Sequence, residues 1–214
     1  MTQHAPAVIA ELDEAPAALA RIGLDKETVV AIARAAAAAR AEALPIDPIS
    51  APGWFAYAYG VRHLRLRLLP LDGWRSSRAD NVESAVNDEL GIQLCFQNVD
   101  KACNPNPEPH AISRKGAAAR RQVADGQGEL FAPPNNDSED RYGCPPVVWV
   151  VCVEATDSSL KAEVSCPMSF HGSQFDGFHE RIFVLNEDFS SLEMVNEDDA
   201  SELDDLDVPV SRKS

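Results

Sequence analysis

The chain has 214 residues, 45% of them hydrophobic and 25% charged, and a formal net charge of −15. Those values fit one globular domain with a sizeable core plus tails, or at most two small domains, and no apolar run approaches the ~20 residues a membrane helix needs. Charge of this sign repels free nucleic acid and anionic membranes at long range and favours basic surfaces.

The charge is uneven. Residues 187–214 carry ten acids against two bases, whereas residues 54–121 carry ten Lys/Arg against seven acids. A near-neutral body with acidic ends is expected. The five cysteines, Cys95, Cys103, Cys144, Cys152 and Cys166, include no C-x-x-C pair. The opening MTQHAPAVIAELDEAP has no basic region followed by an apolar run, so it does not read as a secretory signal. The expectation is a cytoplasmic protein whose cysteines stay reduced and serve as small core hydrophobes.

Residues 1–23 are rich in Ala and Pro and read as partly ordered. Asp25 is an expected N-cap, and the alanine-rich run behind it predicts a helix over Lys26–Ala43. Its stripe of Val29, Ile32, Ala33 and Ala36 offers little area. Residues 1–50 therefore read as a helical arm, docked tightly by its first turns or loosely attached. Pro45, Pro48 and Pro52 bracket a hinge. A second helix follows to about Leu69, with Trp54, Tyr57, Val61, Leu64 and Leu68 on one face as the expected core stripe.

Val82–Val86 and Ile92–Val99 read as a hairpin closed near Gly91. The proline-rich KACNPNPEPHAI is expected to be irregular, and SRKGAAARRQVADG a short basic helix or ordered loop. The acidic APPNNDSEDRYGCPP reads as a second loop. Val147–Val153 is apolar on both faces, as in a central strand. In Leu160–Cys166 the apolar Leu160, Ala162, Val164 and Cys166 alternate with Lys161, Glu163 and Ser165, which predicts one polar face. Glu180–Leu185 is one more strand. The expected fold is α+β: N-terminal helices, then an antiparallel sheet covered by one helix. The core domain spans 51–186 and an acidic tail of disordered composition spans 187–214.

Candidate chemistry is sparse. There is no Gly-rich phosphate loop, no G-x-S-x-G and no H-E-x-x-H. Asp157, Lys161 and Glu163 are in the wrong order for the acidic motif of metal-dependent nucleases. His171, Asp176, His179 and Glu180 have ligand chemistry for a divalent metal, but their spacing matches no common site, so a surface loop is expected. Cys103, His110 and Cys144 form an even less constrained set. No cofactor and no catalytic residue is therefore assigned. Arg114, Lys115, Arg120 and Arg121 are candidate phosphate-binding residues by charge, although no aromatic lies among them for base stacking.

In WFAYAYGVRHLRLRLLPLDGW, NDELGIQLCFQNVD, RKGAAARRQV and GFHERIFVL the chain resembles uncharacterised accessory proteins of proteobacterial plasmids, phages and integrative elements. The resemblance implies a setting: cargo of mobile DNA, often directed against host defences, as the CRISPR–Cas inhibitors are. Together with the charge, it gives the expectation of a non-enzymatic interaction protein that binds and inhibits a basic protein or ribonucleoprotein. The carboxylates Glu197, Asp198, Asp199, Glu202, Asp204, Asp205 and Asp207 would contact that partner in place of phosphates. Direct nucleic-acid binding is not expected. The competing expectation is a nucleic-acid-binding or processing protein that works through residues 113–122, with the tail as an internal screen. A third is an accessory protein whose tail only keeps it soluble.

Overall fold

A computed structural model describes residues 6–106, 108–112, 121, 123–124, 145–171 and 174–189. The helices described along their whole length include α1 (Ala15–Ala20), α2 (Lys26–Ala41) and α3 (Ala51–Leu68). The strands are β1 (Ala7–Ile9), β2 (Trp74–Ser77), β3 (Ser84–Asn87), β4 (Ile92–Asp100), β5 (His110–Ala111), β6 (Val147–Ala155), β7 (Ser159–Pro167), β8 (Phe170–His171), β9 (Gln174–Phe175) and β10 (Phe178–Asp188). The class is α+β.

The main sheet runs β1-β10-β7-β6-β4-β3-β2, with β5 paired to β4. It is mixed, not purely antiparallel as expected. β6 lies parallel to β4, with Ile92 opposite Val147, and β1 lies parallel to β10. The long connection after β4 makes the parallel pairing possible, because parallel neighbours cannot be joined by a tight turn.

Two helices, not one, cover the same face. The side chain of Asp25 caps α2 by accepting from the Thr28 backbone N–H at 2.6 Å. Val29, Ile32, Ala33 and Ala36 of α2 are fully buried in one cluster with Leu64 and Leu68 of α3 and with Trp149, Val151, Val153, Ala162 and Val164 of the sheet. Residues 15–41 are thus part of the main core and not a separate arm. The small side chains of α2 bring it close to α3, so closeness compensates for their small area. The segment before α2 is also built in: β1 joins the sheet edge, and Ala15, Ala18 and Leu19 of α1 are buried in that cluster.

The expected core stripe of α3 is corrected at its start. Trp54 is 66% exposed, while Ala56, Gly60, Val61, Leu64 and Leu68 are buried and Tyr57 is half-buried. The reason is Gly60, whose missing Cβ leaves room for the Phe96 ring directly beneath it. That close approach fixes the rotation of α3. Trp54, six residues earlier, then lies about 120° round the helix from Gly60.

The polar face expected for β7 is also corrected. Lys161 is partly buried, but Glu163 and Ser165 are fully buried, because the turn after β4 folds over this side of the sheet. Lys101 and Cys103 reach left-handed φ values of 57° and 54° to make that turn. Glu163 and Arg181 meet there at 0% side-chain exposure. Arg181 Nε donates to Glu163 Oε1 at 2.9 Å and Nη2 to Oε2 at 2.7 Å. The carboxylate also accepts from Ser165 Oγ and from the Cys103 N–H, and Arg181 Nη1 donates to Asn104 O. The pair is therefore satisfied at each end, as a buried charge pair must be.

β10 continues past the expected strand end at Leu185. Glu187 pairs with Arg34 of α2, and the Phe189 N–H donates to Ser158 O. The expected tail boundary at 187 thus moves outward by these residues. Among the described residues no helix is long and apolar enough to cross a membrane.

Candidate functional site

The acidic residues Glu197, Asp198, Asp199, Glu202, Asp204, Asp205 and Asp207 lie outside the described residues, as do Arg114, Lys115, Arg120 and Cys144. Arg121 is described and exposed.

The candidate metal groups do not converge. His171 is exposed and pairs with Gln174 across the small β8–β9 hairpin. Asp176 accepts from Ser169 Oγ, His179 is half-buried, and Glu180 forms an ion pair with Arg21 of α1's C-cap. Among the described residues no group of three His, Cys, Asp or Glu side chains could hold a metal ion. Cys103 and His110 are likewise apart in role. His110 is exposed beside Asp100 and Lys101, whereas Cys103 is buried and its Sγ donates to Ala162 O and Leu185 O. Burial pushes the Cys103 thiol up to about 12, with the Glu163 charge adding to it, so it is a protonated structural donor at neutral pH. Cys95, Cys152 and Cys166 are also buried.

What the fold does assemble is a cleft of about 610 Å³ at one end of the helical layer. Its walls come from the last turns of α2, residues 49–50 of the connection, the first two turns of α3 and the ends of β4 and β6. Two tight turns shape the connection. The Leu44 N–H donates to Asp47 Oδ2 at 2.8 Å, and the Ala51 N–H donates to Pro48 O at 2.8 Å. They hold Leu44, Ile46 and Ile49 out in solvent. Asn98, near the end of β4, ties down the start of α3 by donating to Gly53 O at 2.7 Å. Its own carbonyl accepts from the Ile112 N–H, which sets Ile112 on the cleft's far side.

The walls are mainly apolar: Ile49, Trp54, Ala56, Val153 and Ala155 among others. Four polar side chains, Arg40, Ser50, Tyr57 and Asn98, also line it. A volume of this size, apolar lining and a few polar groups are the usual properties of a ligand pocket. Burial pushes the Tyr57 phenol above its ordinary value, with Cys95 and Glu83 adding to the effect, so it remains a hydrogen-bond donor at neutral pH.

Sequence reasoning placed Trp54 and Tyr57 in the core and missed Arg40, Ile49 and Asn98. One signal was present. A proline-bracketed connection that carries Leu44, Ile46 and Ile49 has more apolar side chains than a solvated loop requires.

Comparison of the chain with protein families, with curated proteins and with solved structures found no match.

Proposed function

We propose that the protein acts in the cytoplasm by association, as a non-enzymatic inhibitor carried by a mobile element, and that its partner is a basic nucleic-acid-binding complex such as a CRISPR–Cas effector. The observation that carries this reading is the exposure of Trp54 beside Ile49, with Ile46 and Leu44 in the same connection. Contiguous exposed apolar side chains on a folded domain mark interaction surfaces, and tryptophan is a frequent anchor of them. The net charge of −15 supplies the complement to a Lys/Arg-rich partner. The resemblance to accessory proteins of mobile DNA supports the choice of partner class.

The test pairs stability with affinity. Trp54→Ala removes an exposed side chain, so its melting temperature should stay near that of the parent, at a cost below about 1 kcal/mol. Its affinity for a purified CRISPR–Cas effector should fall about tenfold or more, mainly through the off-rate. The effector's nucleic acid should compete with the parent protein for binding. Equal binding by parent and Trp54→Ala, or no binding to any such effector, would sink the proposal. A gel shift of bare nucleic acid by the protein would favour the reading through residues 113–122.

A further inference from the structure

Behind the exposed rim, the cleft itself has a chemistry that a flat docking patch does not need. Six arginines of the described fold are paired with carboxylates: Arg21, Arg34, Arg65, Arg75, Arg78 and Arg181. Arg40 is half-buried and lines the cleft, yet its guanidinium has no hydrogen bond or ion pair with any described residue. Its place in the last turn of α2 suits the helix dipole, but that field does not occupy the guanidinium's five donors. Tyr57 and Ser50 also line the cleft, and their hydroxyls have no hydrogen-bond partner among the described residues. The first turn of α3 carries no acid, and the Ser50 side chain does not cap it, so the positive end of this 18-residue helix also borders the space.

Arg40, Ser50, Tyr57, Asn98 and a helix N-terminus thus border a space whose other described walls are apolar. Among the described residues no carboxylate lines it. We infer that the cleft is a binding site for a small amphipathic monocarboxylate, an aliphatic or aromatic acid. Its apolar body packs between Trp54, Ile49 and Val153, and its carboxylate meets Arg40, with Tyr57 and Ser50 as further donors. An Arg–carboxylate contact in a partly dry cleft is stronger than one in water, and the apolar walls reward the rest of the ligand by area. A cationic ligand would meet Arg40 with like charge, and a neutral alcohol would leave the guanidinium unpaired.

This inference is separate from the partner reading but shares Trp54 and Ile49 with it, so a bound acid would alter the surface offered to the partner. The experiment is titration calorimetry on the full chain with octanoate and phenylacetate, beside octanol and octylamine. Trp54 emission is a second readout, because Trp74 and Trp149 are buried. The acids should bind saturably and about tenfold or more tighter than octanol or octylamine. Arg40→Gln should remove most of that preference, Arg40→Lys should restore part of it, and Tyr57→Phe should weaken the acids while leaving octanol unchanged. Equal binding of octanoate and octylamine, no saturable binding of either acid, or an unchanged preference in both Arg40→Gln and Tyr57→Phe would overturn the inference. Arg40→Gln should leave effector association intact. Loss of the ligand with retained effector binding therefore separates the two proposals.

Discussion

Glu163 and Arg181 are buried on a strand face that a sequence pattern assigns to solvent. Such a pair adds little net stability over well-packed apolar residues, because desolvation offsets the attraction. Removing one partner is another matter. Glu163→Gln leaves the Arg181 guanidinium buried without its counter-charge and should cost ~3–5 kcal/mol in urea unfolding. The double substitution Glu163→Met with Arg181→Met should recover most of that loss. A single-site cost below about 1 kcal/mol would mean that water reaches the pair. Gly60 is a second residue with a decisive surrounding. A Cβ at this position would collide with the Phe96 ring. Gly60→Ala gains ~0.5–1 kcal/mol of helix propensity but overpacks the α3–β4 contact at ~1–3 kcal/mol. Net destabilisation is expected, and Phe96→Leu in the same chain should reduce it. A more stable Gly60→Ala protein would show that α3 can lift from the sheet without loss.

At the scale of elements, the turn after β4 is held by its Cys103 thiol and by the Glu163 carboxylate beneath it. The thiol titrates near 9.0 when unfolded and at about 12 when folded. Between those values the folded chain keeps a proton that the unfolded chain has released, so stability falls as pH rises through that window. The limit is ~1.4 kcal/mol per pH unit. Cys103→Ser, which can still donate to Ala162 O and Leu185 O, should flatten the fall in melting temperature above pH 9. Equal alkaline slopes for parent and Cys103→Ser would contradict the protonated thiol. The raised Tyr57 phenol acts in the same direction at higher pH in both proteins. Several elements were legible in the chain because local pattern and tertiary context agree there. β6 is apolar on both faces and is buried on both. α2 has its Asp25 cap, and its start at Lys26 was correctly placed. Where context decided, the pattern misled. The rotation of α3 depends on one glycine meeting a ring in β4. Burial of Glu163 depends on a turn 60 residues away in sequence. The cleft brings Arg40, Tyr57, Asn98 and Val153 together from four elements, and nothing in their spacing records that meeting.

At the scale of the whole molecule, charge and shape would divide the work of the proposed association. The net −15 already counts every Lys and Arg, and ten of the acids against two bases fall in residues 187–214. Rim charges act mainly on the on-rate and its salt dependence. Replacing Asp198, Asp199, Asp204 and Asp205 by Asn should therefore slow association with the effector at low ionic strength. The difference should shrink toward 0.5 M salt, where the Debye length is only ~4–5 Å. Off-rates should change little, since in the proposed complex packed contacts at Trp54 would set them. A salt-independent loss, or a gain in nucleic-acid binding, would instead favour the competing role of the tail as an internal screen. The parallel pairing of β1 with β10 also has a consequence for synthesis. Among the described residues, the first strand of the chain has its only sheet partner in β10, and Arg21 waits for Glu180 across a separation of 159 residues. At ~5–20 residues per second, the ribosome needs roughly 8–30 s to bridge that interval. The nascent β1–α1 segment spends this time without the sheet edge and buried pocket that later receive it. Contacts of such high order are formed late, so a chain that stalls before β10 leaves its earliest residues as the most exposed to proteases and chaperones.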